Sequence, residues 1–352
     1  MTFLRTLAIV GCFSIGSFAT INSNNLTVGG QYLGLFNDFS KKDAQFDFAI
    51  NLSFGYEIAP NLTGVAELQS SPGKGSLGFE GPETILTDLS LTHKLGSKNH
   101  LTSVTFGSFD TQFGHETRSL SNNANTFNNP FILNSITYSA LAGPVGTLNT
   151  LGIMVESNFN NMDVVASLSN GTSESATNKK KTFERLVQIS SHSLVKGLRI
   201  TGSYLASDDQ HDDKDNSFAT NLTATLIELN YQAWTHMAFK LKKAEFSFDD
   251  QAPSTTDKTL SHEAEINYTN DRLILALRGA FWRPQGTVAS LDFRTVGLLS
   301  TKGAMDQIQL CMGYYLSKDT LLKTEIIHEI YGPKTKHPFF NTGIISGINV
   351  QF

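Results

Sequence analysis

The chain has 352 residues, 40% hydrophobic and 17% charged, with a net charge of −5. That balance argues against a nucleic-acid partner, and no segment reaches the roughly 18 apolar residues that a spanning helix needs. Of two cysteines, Cys12 and Cys311, the first falls in an N-terminal leader, so no disulfide can staple the remainder.

The leader reads as a secretory signal. Arg5 is its basic end, residues 7–18 are apolar and small, and Ser17-Phe18-Ala19 fits the small-x-small cleavage rule. Cleavage after Ala19 leaves residues 20–352, read as one domain because no Pro-rich or low-complexity linker divides them. Ile9-Val10-Gly11-Cys12 also fits a lipoprotein box, which would leave a very short apolar core.

The clearest strand follows at 46–58. Phe46, Phe48, Ile50, Leu52, Phe54, Tyr56 and Ile58 share one face; Asp47, Asn51, Ser53 and Glu57 share the other. Thirteen alternating residues exceed an ordinary soluble strand of about 5–6 and suit a tilted membrane strand of about 9–11. The pattern returns at 262–268, 272–282 and 307–315, with Leu273, Leu275, Leu277 and Phe281 opposing Arg272, Ile274, Ala276 and Arg278. At 236–248 the parity switches from Met237, Phe239 and Leu241 to Phe246 and Phe248, predicting a β-bulge near Lys243.

Connections alternate in length. Tight turns at 59–61, 96–99, 158–161, 195–197, 269–271 and 317–320 alternate with longer polar loops at 37–43, 70–84, 110–149, 171–181, 208–217, 249–260, 283–305 and 331–342. Strands counted between them give about sixteen, or eighteen if 132–138 pairs with 147–155. Trp234 and Trp282 fall at strand ends, the interfacial belts where indole rings settle.

The last nine residues alternate, with Ile344, Ile348, Val350 and Phe352 on one face. This strand, apolar outside and ending on an aromatic ring, resembles the closing strand of Gram-negative outer-membrane β-barrels. In that family the terminal aromatic is the assembly signal, a role that falls here to Phe352. End strand, strand count and the length of the third long loop, 110–149, resemble the sixteen-stranded porins. Phe106-Gly-Ser-Phe109 followed by Phe113-Gly-His-Glu116 is similar to the strand-to-loop passage of the phosphate-selective type. The resemblance implies an all-β, antiparallel up-and-down transmembrane barrel in the bacterial outer membrane. It implies outer-membrane lipid, lipopolysaccharide and the barrel-assembly machinery as partners, a homotrimer, and passive diffusion of small hydrophilic solutes and ions. No cofactor is expected.

In such porins the third outer loop folds into the lumen. Here that is 110–149, which would bring Asp110, His115, Glu116 and Arg118 to a constriction. Strand charges opposite the apolar face must meet water, because Lys or Arg facing lipid costs roughly 2–4 kcal/mol at the midplane. This places Lys240, Lys242, Glu263, Glu265, Arg272, Arg278, Lys323, Glu325 and Glu329 in the lumen. Their mixed signs predict weak selectivity and no clean anion ladder. Two further charge runs, Lys179-Lys180-Lys181 and the acidic stretch 208–215, read as solvated loops. The rival readings are an adhesin or structural barrel, a barrel hydrolase, and a soluble secreted sandwich. No Gly-x-Ser-x-Gly or His-Glu-x-x-His motif supports a hydrolase, and His93, His262 and His328 are scattered.

Overall fold

The computed structural model describes residues 21–23, 25–39, 45–71, 83–97, 100–109, 112–114, 150–159, 161–170, 183–192, 195–207, 220–250, 255–285, 304–331 and 339–351. Residues 1–19, expected to be a signal segment, most of loop 110–149, segment 132–138, both charge runs and Phe352 lie outside them.

Seventeen strands follow in chain order: β1 (Ile21–Ser23), β2 (Leu26–Phe39), β3 (Gln45–Ala59), β4 (Leu62–Ser71), β5 (Glu83–Ser97), β6 (His100–Phe109), β7 (Thr150–Phe159), β8 (Met162–Ser169), β9 (Glu184–Ser191), β10 (Leu198–Ser207), β11 (Thr220–Trp234), β12 (Met237–Asp250), β13 (Thr255–Thr269), β14 (Leu273–Gln285), β15 (Met305–Ser317), β16 (Thr320–Tyr331) and β17 (Phe339–Gln351). Each of β2 to β17 pairs antiparallel with the next, and β17 pairs back onto β2 from Gly343↔Phe39 to Gln351↔Gln31. The result is a closed up-and-down barrel of sixteen strands. Gln31 Nε2 donates to Asn349 Oδ1 at 2.6 Å across the closing seam. The three-residue β1 pairs with β2 at Leu26–Val28, taking the edge beyond the point where β17 ends.

Alternation decides which side faces out. Leu275, Leu277, Phe281, Ile308, Leu310, Met312 and Tyr314 are exposed, whereas their sequence neighbours Arg278, Gln307, Gln309 and Cys311 are buried. In a closed barrel the convex face is the exposed one. Apolar side chains therefore face lipid and polar ones the lumen, while the ring of antiparallel pairings joins each described strand of the barrel to both neighbours.

The short-turn rim is laced. Backbone N–H groups donate to turn carbonyls of the neighbouring hairpin: Glu57 to Asn25, Lys94 to Asn61, His192 to Asn161, Gln232 to Gly197, Thr269 to His236, Tyr315 to Arg272 and Gln351 to Asp319, all at 2.8–2.9 Å. Gly197 turns with φ +82°, which L side chains rarely adopt.

Three sequence expectations are corrected. The bulge near Lys243 is absent: β12 pairs without a break with β13 from Met237↔Tyr268 to Asp250↔Thr255. Parity is kept, so Phe246 faces inward. Trp282 is not a belt residue; it is 1% exposed on the inner face of β14. The polar loop expected at 249–260 shrinks, because β12 runs to Asp250 and β13 resumes at Thr255. Above the membrane a hairpin needs no apolar face, so its polar residues look like loop. Trp234, 64% exposed, does lie at the short-turn rim.

Gly107 and Gly152 pair across β6 and β7. A Cβ on Gly107, whose φ is +118°, would collide with the Leu89 carbonyl, and one on Gly152 would lie 2.7 Å from Ser169 Cα. Replacing Gly107 with Ala is expected to cost about 1–3 kcal/mol of strain. The check is a lower melting temperature for loss of the heat-modifiable barrel band on gels.

Candidate functional site: a partly filled lumen

Two inner-wall zones define the site. The first is a charged ladder on β11–β16. Register sets Glu228, Lys242 and Glu263 side by side, with Lys240, Glu265 and Arg278 in the adjacent row. Arg278 donates to Glu265 Oε2 through Nη2 at 2.7 Å and Nε at 3.0 Å. Lys240 Nζ lies 3.2 Å from the other Glu265 oxygen, and Lys242 Nζ lies 3.7 Å from Glu263. Gln307 Nε2 donates to Glu329 at 2.8 Å. Lys323 is paired in register with Gly313 and Gly347, and a Cβ on Gly313 would lie 3.0 Å from its Cγ, so the glycine makes room for the lysine stem. Among described side chains here, four cations (Lys240, Lys242, Arg278, Lys323) stand among five carboxylates (Glu228, Glu263, Glu265, Glu325, Glu329).

The second zone lies on the long-loop half of the same wall and is apolar. Met154, Val165, Leu186, Leu205, Leu226, Phe246 and Trp282 form one buried cluster across β7 to β14. Phe113, from the start of loop 110–149, joins it. Its ring centroid is 6.4 Å from that of Phe246, which is 5.4 Å from Trp282. Gly114 N–H donates to Gln188 Oε1 at 2.8 Å and to Ser203 Oγ at 3.2 Å, and Gln112 Nε2 donates to Glu156 at 2.8 Å. Gly114 has φ +92°, so glycine is needed at this turn. Residues 112–114 thus leave β6, enter the barrel and reach its inner wall as far as β12.

The sequence-derived residues divide accordingly. Lys240, Lys242, Glu263, Glu265, Arg278, Lys323 and Glu325 share the inner wall. Arg272 does not: it is exposed in the turn before β14, its N–H donating to Asn270 Oδ1 at 2.9 Å. Asp110, His115, Glu116, Arg118 and Phe352 lie outside the described residues. The aromatic cluster was missed, although the Leu275-Leu277-Phe281 parity already turned Trp282 inward. His93, His262 and His328 face outward on three separate strands.

The fold recurs among solved outer-membrane proteins. OprB from Pseudomonas putida superposes with a TM-score of 0.67 at 12% identity, covering 93% of this chain and 94% of that one. OmpT of Vibrio cholerae gives 0.65 at 8% identity over 95% and 100%. An anion-selective porin from Comamonas acidovorans gives 0.63 at 11% over 93% and 99%. No curated protein sequence matches. The family profile described as phosphate-selective porin O and P matches residues 36–248, more than half of the chain. The chain belongs to this porin family. It is an outer-membrane β-barrel channel, and the short-turn rim of such a barrel is its periplasmic end.

Proposed function

We propose that this porin passes small hydrophilic solutes and ions by passive diffusion, with weak selectivity, and that it works as a homotrimer without catalysing a reaction. The observation that carries the proposal is the interleaved charge on β11–β16. A lumen wall tunes selectivity through its net field. Here Glu265 sits between Lys240 and Arg278, and Lys242 is flanked by Glu228 and Glu263. Fields of opposite sign cancel within one Debye length, about 8 Å at physiological salt. The family description names phosphate selectivity, which would call for an uninterrupted basic track. The trimer reading draws on the trimer form recorded for OmpT of Vibrio cholerae.

Detergent-refolded protein in a planar bilayer is expected to give conductance steps in threes and a small reversal potential under a KCl gradient. A large reversal potential of anionic sign, with phosphate blocking chloride current, would replace weak selectivity by phosphate selectivity. A silent inserted barrel would favour the adhesin reading. Lipid or peptide hydrolysis abolished by one substitution would favour the hydrolase.

A further inference from the structure

Two glutamine oxygens on the inner wall have no donor. Gln307 and Gln309 stand two residues apart on the inner face of β15, 6% and 1% exposed, and the Oε1 atom of each is buried without a hydrogen-bond partner. Gln307 donates through Nε2 to Glu329, which faces it in register on β16. A buried amide oxygen without a donor is costly, and two side by side call for a donor from outside the chain. Neither oxygen gives up a bond on meeting one.

The surroundings carry the sign opposite to the anion named in the family description. On the inner faces of β15, β16 and β17 the described charged side chains are Glu325, Glu329 and Lys323. Lys323 is two residues from Glu325 but six from Glu329, roughly 20 Å along the strand. Arg278, in register with Gln309 on the other side, gives two bonds to Glu265. Glu329, 0% exposed, accepts from two neutral amides, Gln307 Nε2 at 2.8 Å and Asn341 Nδ2 at 3.4 Å. Acceptors and negative charge thus collect in the long-loop half of the lumen.

We propose that Gln307, Gln309 and Glu329 bind the head of a primary ammonium ion, so that small aliphatic amines are a solute class of this channel. The inference deepens the channel reading and rests on it. A primary ammonium carries a positive charge and three N–H donors. The wall offers matching acceptors in two amide oxygens and one carboxylate. Alternate residues on one strand face stand roughly 6.6 Å apart and an ammonium bonds acceptors at about 2.9 Å, so one nitrogen between the two side chains reaches both oxygens. Ile327, 1% exposed and in register with Gln309, gives the alkyl stem an apolar surface. A divalent cation fits worse, because no three His, Cys, Asp or Glu side chains among the described residues group to hold a metal. The opposite wall agrees in sign. The described charged side chains on the inner faces of β3 to β7 are Glu57, Glu67, Glu156 and Lys94.

The test is saturation-transfer NMR of n-butylammonium chloride with the detergent-refolded, full-length barrel. Tetramethylammonium, which has the charge but no N–H, is the comparison. Wild type is expected to saturate with butylammonium and to give no saturable signal with tetramethylammonium. Gln307→Met together with Gln309→Met keeps side-chain size and removes both free oxygens. That double variant should bind at least about tenfold more weakly, the worth of one hydrogen bond to a charged group. Glu329→Gln should weaken binding by a similar factor in a barrel that still runs as a heat-modifiable band. Equal binding of the two ammonium ions, or wild-type affinity in the double variant, would overturn the proposal. The readout needs no current. A barrel that conducts KCl yet ignores butylammonium ends this proposal alone, whereas one that binds it but stays silent in a bilayer loses the channel reading and keeps the site.

Discussion

Replacing Phe246 with Ala should open the channel. Phe246 is the ring that receives Phe113 on one side and Trp282 on the other. Removing a buried Phe costs about 3–5 kcal/mol, through lost transfer free energy and the cavity left behind. Spent on the contact between segment 112–114 and the wall, even the lower figure is about a hundredfold in the packed population. Water entering the space will offset part of it. The expected result is a larger unitary conductance with added open-channel noise, in a barrel that still runs as a heat-modifiable band. Phe113→Ala should do the same from the other partner. Gln188→Ala removes one acceptor of the Gly114 N–H and should act in the same direction with a smaller effect, about 1–3 kcal/mol. Conductance unchanged in all three variants would mean that the aromatic cluster does not set the width of the conduit.

Changing Glu265 to Gln should turn the pore toward anions. This carboxylate accepts both Arg278 bonds and pairs with Lys240. Without it, two cations remain in one row of the wall. Breaking a buried pair by removing one partner typically costs 3–5 kcal/mol, and access to lumen water brings the figure down here. The readable effect is a shift of reversal potential toward chloride under a KCl gradient. Arg278→Gln should shift it the opposite way. Shifts of the same sign in both variants would show that the ladder does not set the field felt by permeating ions. The contrast should fade above about 1 M salt, where the Debye length falls to about 3 Å.

The parts of this fold legible in the sequence are those that lipid constrains. Every second residue of β3, β14 and β15 must be apolar on the outside, so 46–58, 272–282 and 307–315 announce themselves. Register follows from that alternation, because a slip of one residue would exchange the two faces. Where lipid does not touch the wall the pattern loses its meaning. The sequence of the upper ends of β12 and β13, Asp249-Asp250 and Thr255-Thr256-Asp257, is polar without alternation and reads as loop. Phe246 and Trp282 break the rule that aromatics face outward, because the start of loop 110–149 comes inside and gives them an apolar partner. That contact joins residues more than a hundred positions apart, and only the ring of strands brings them together. The bulge expected near Lys243 has the same origin: Phe246 is apolar like the lipid-facing residues, yet the unbroken register keeps it on the inner face. Lys243 itself, read as a bulge residue, is an outward lysine.

The lacing of turn carbonyls at one rim has a mechanical consequence. A tube whose lower hoop is stitched hairpin to hairpin cannot splay there without breaking several bonds at once. Its softness must lie at the opposite mouth. Amide exchange should therefore be slowest at Lys94, Gln232, Thr269 and Tyr315 and should quicken steadily up each strand, so that the barrel breathes like a bag drawn tight at its base.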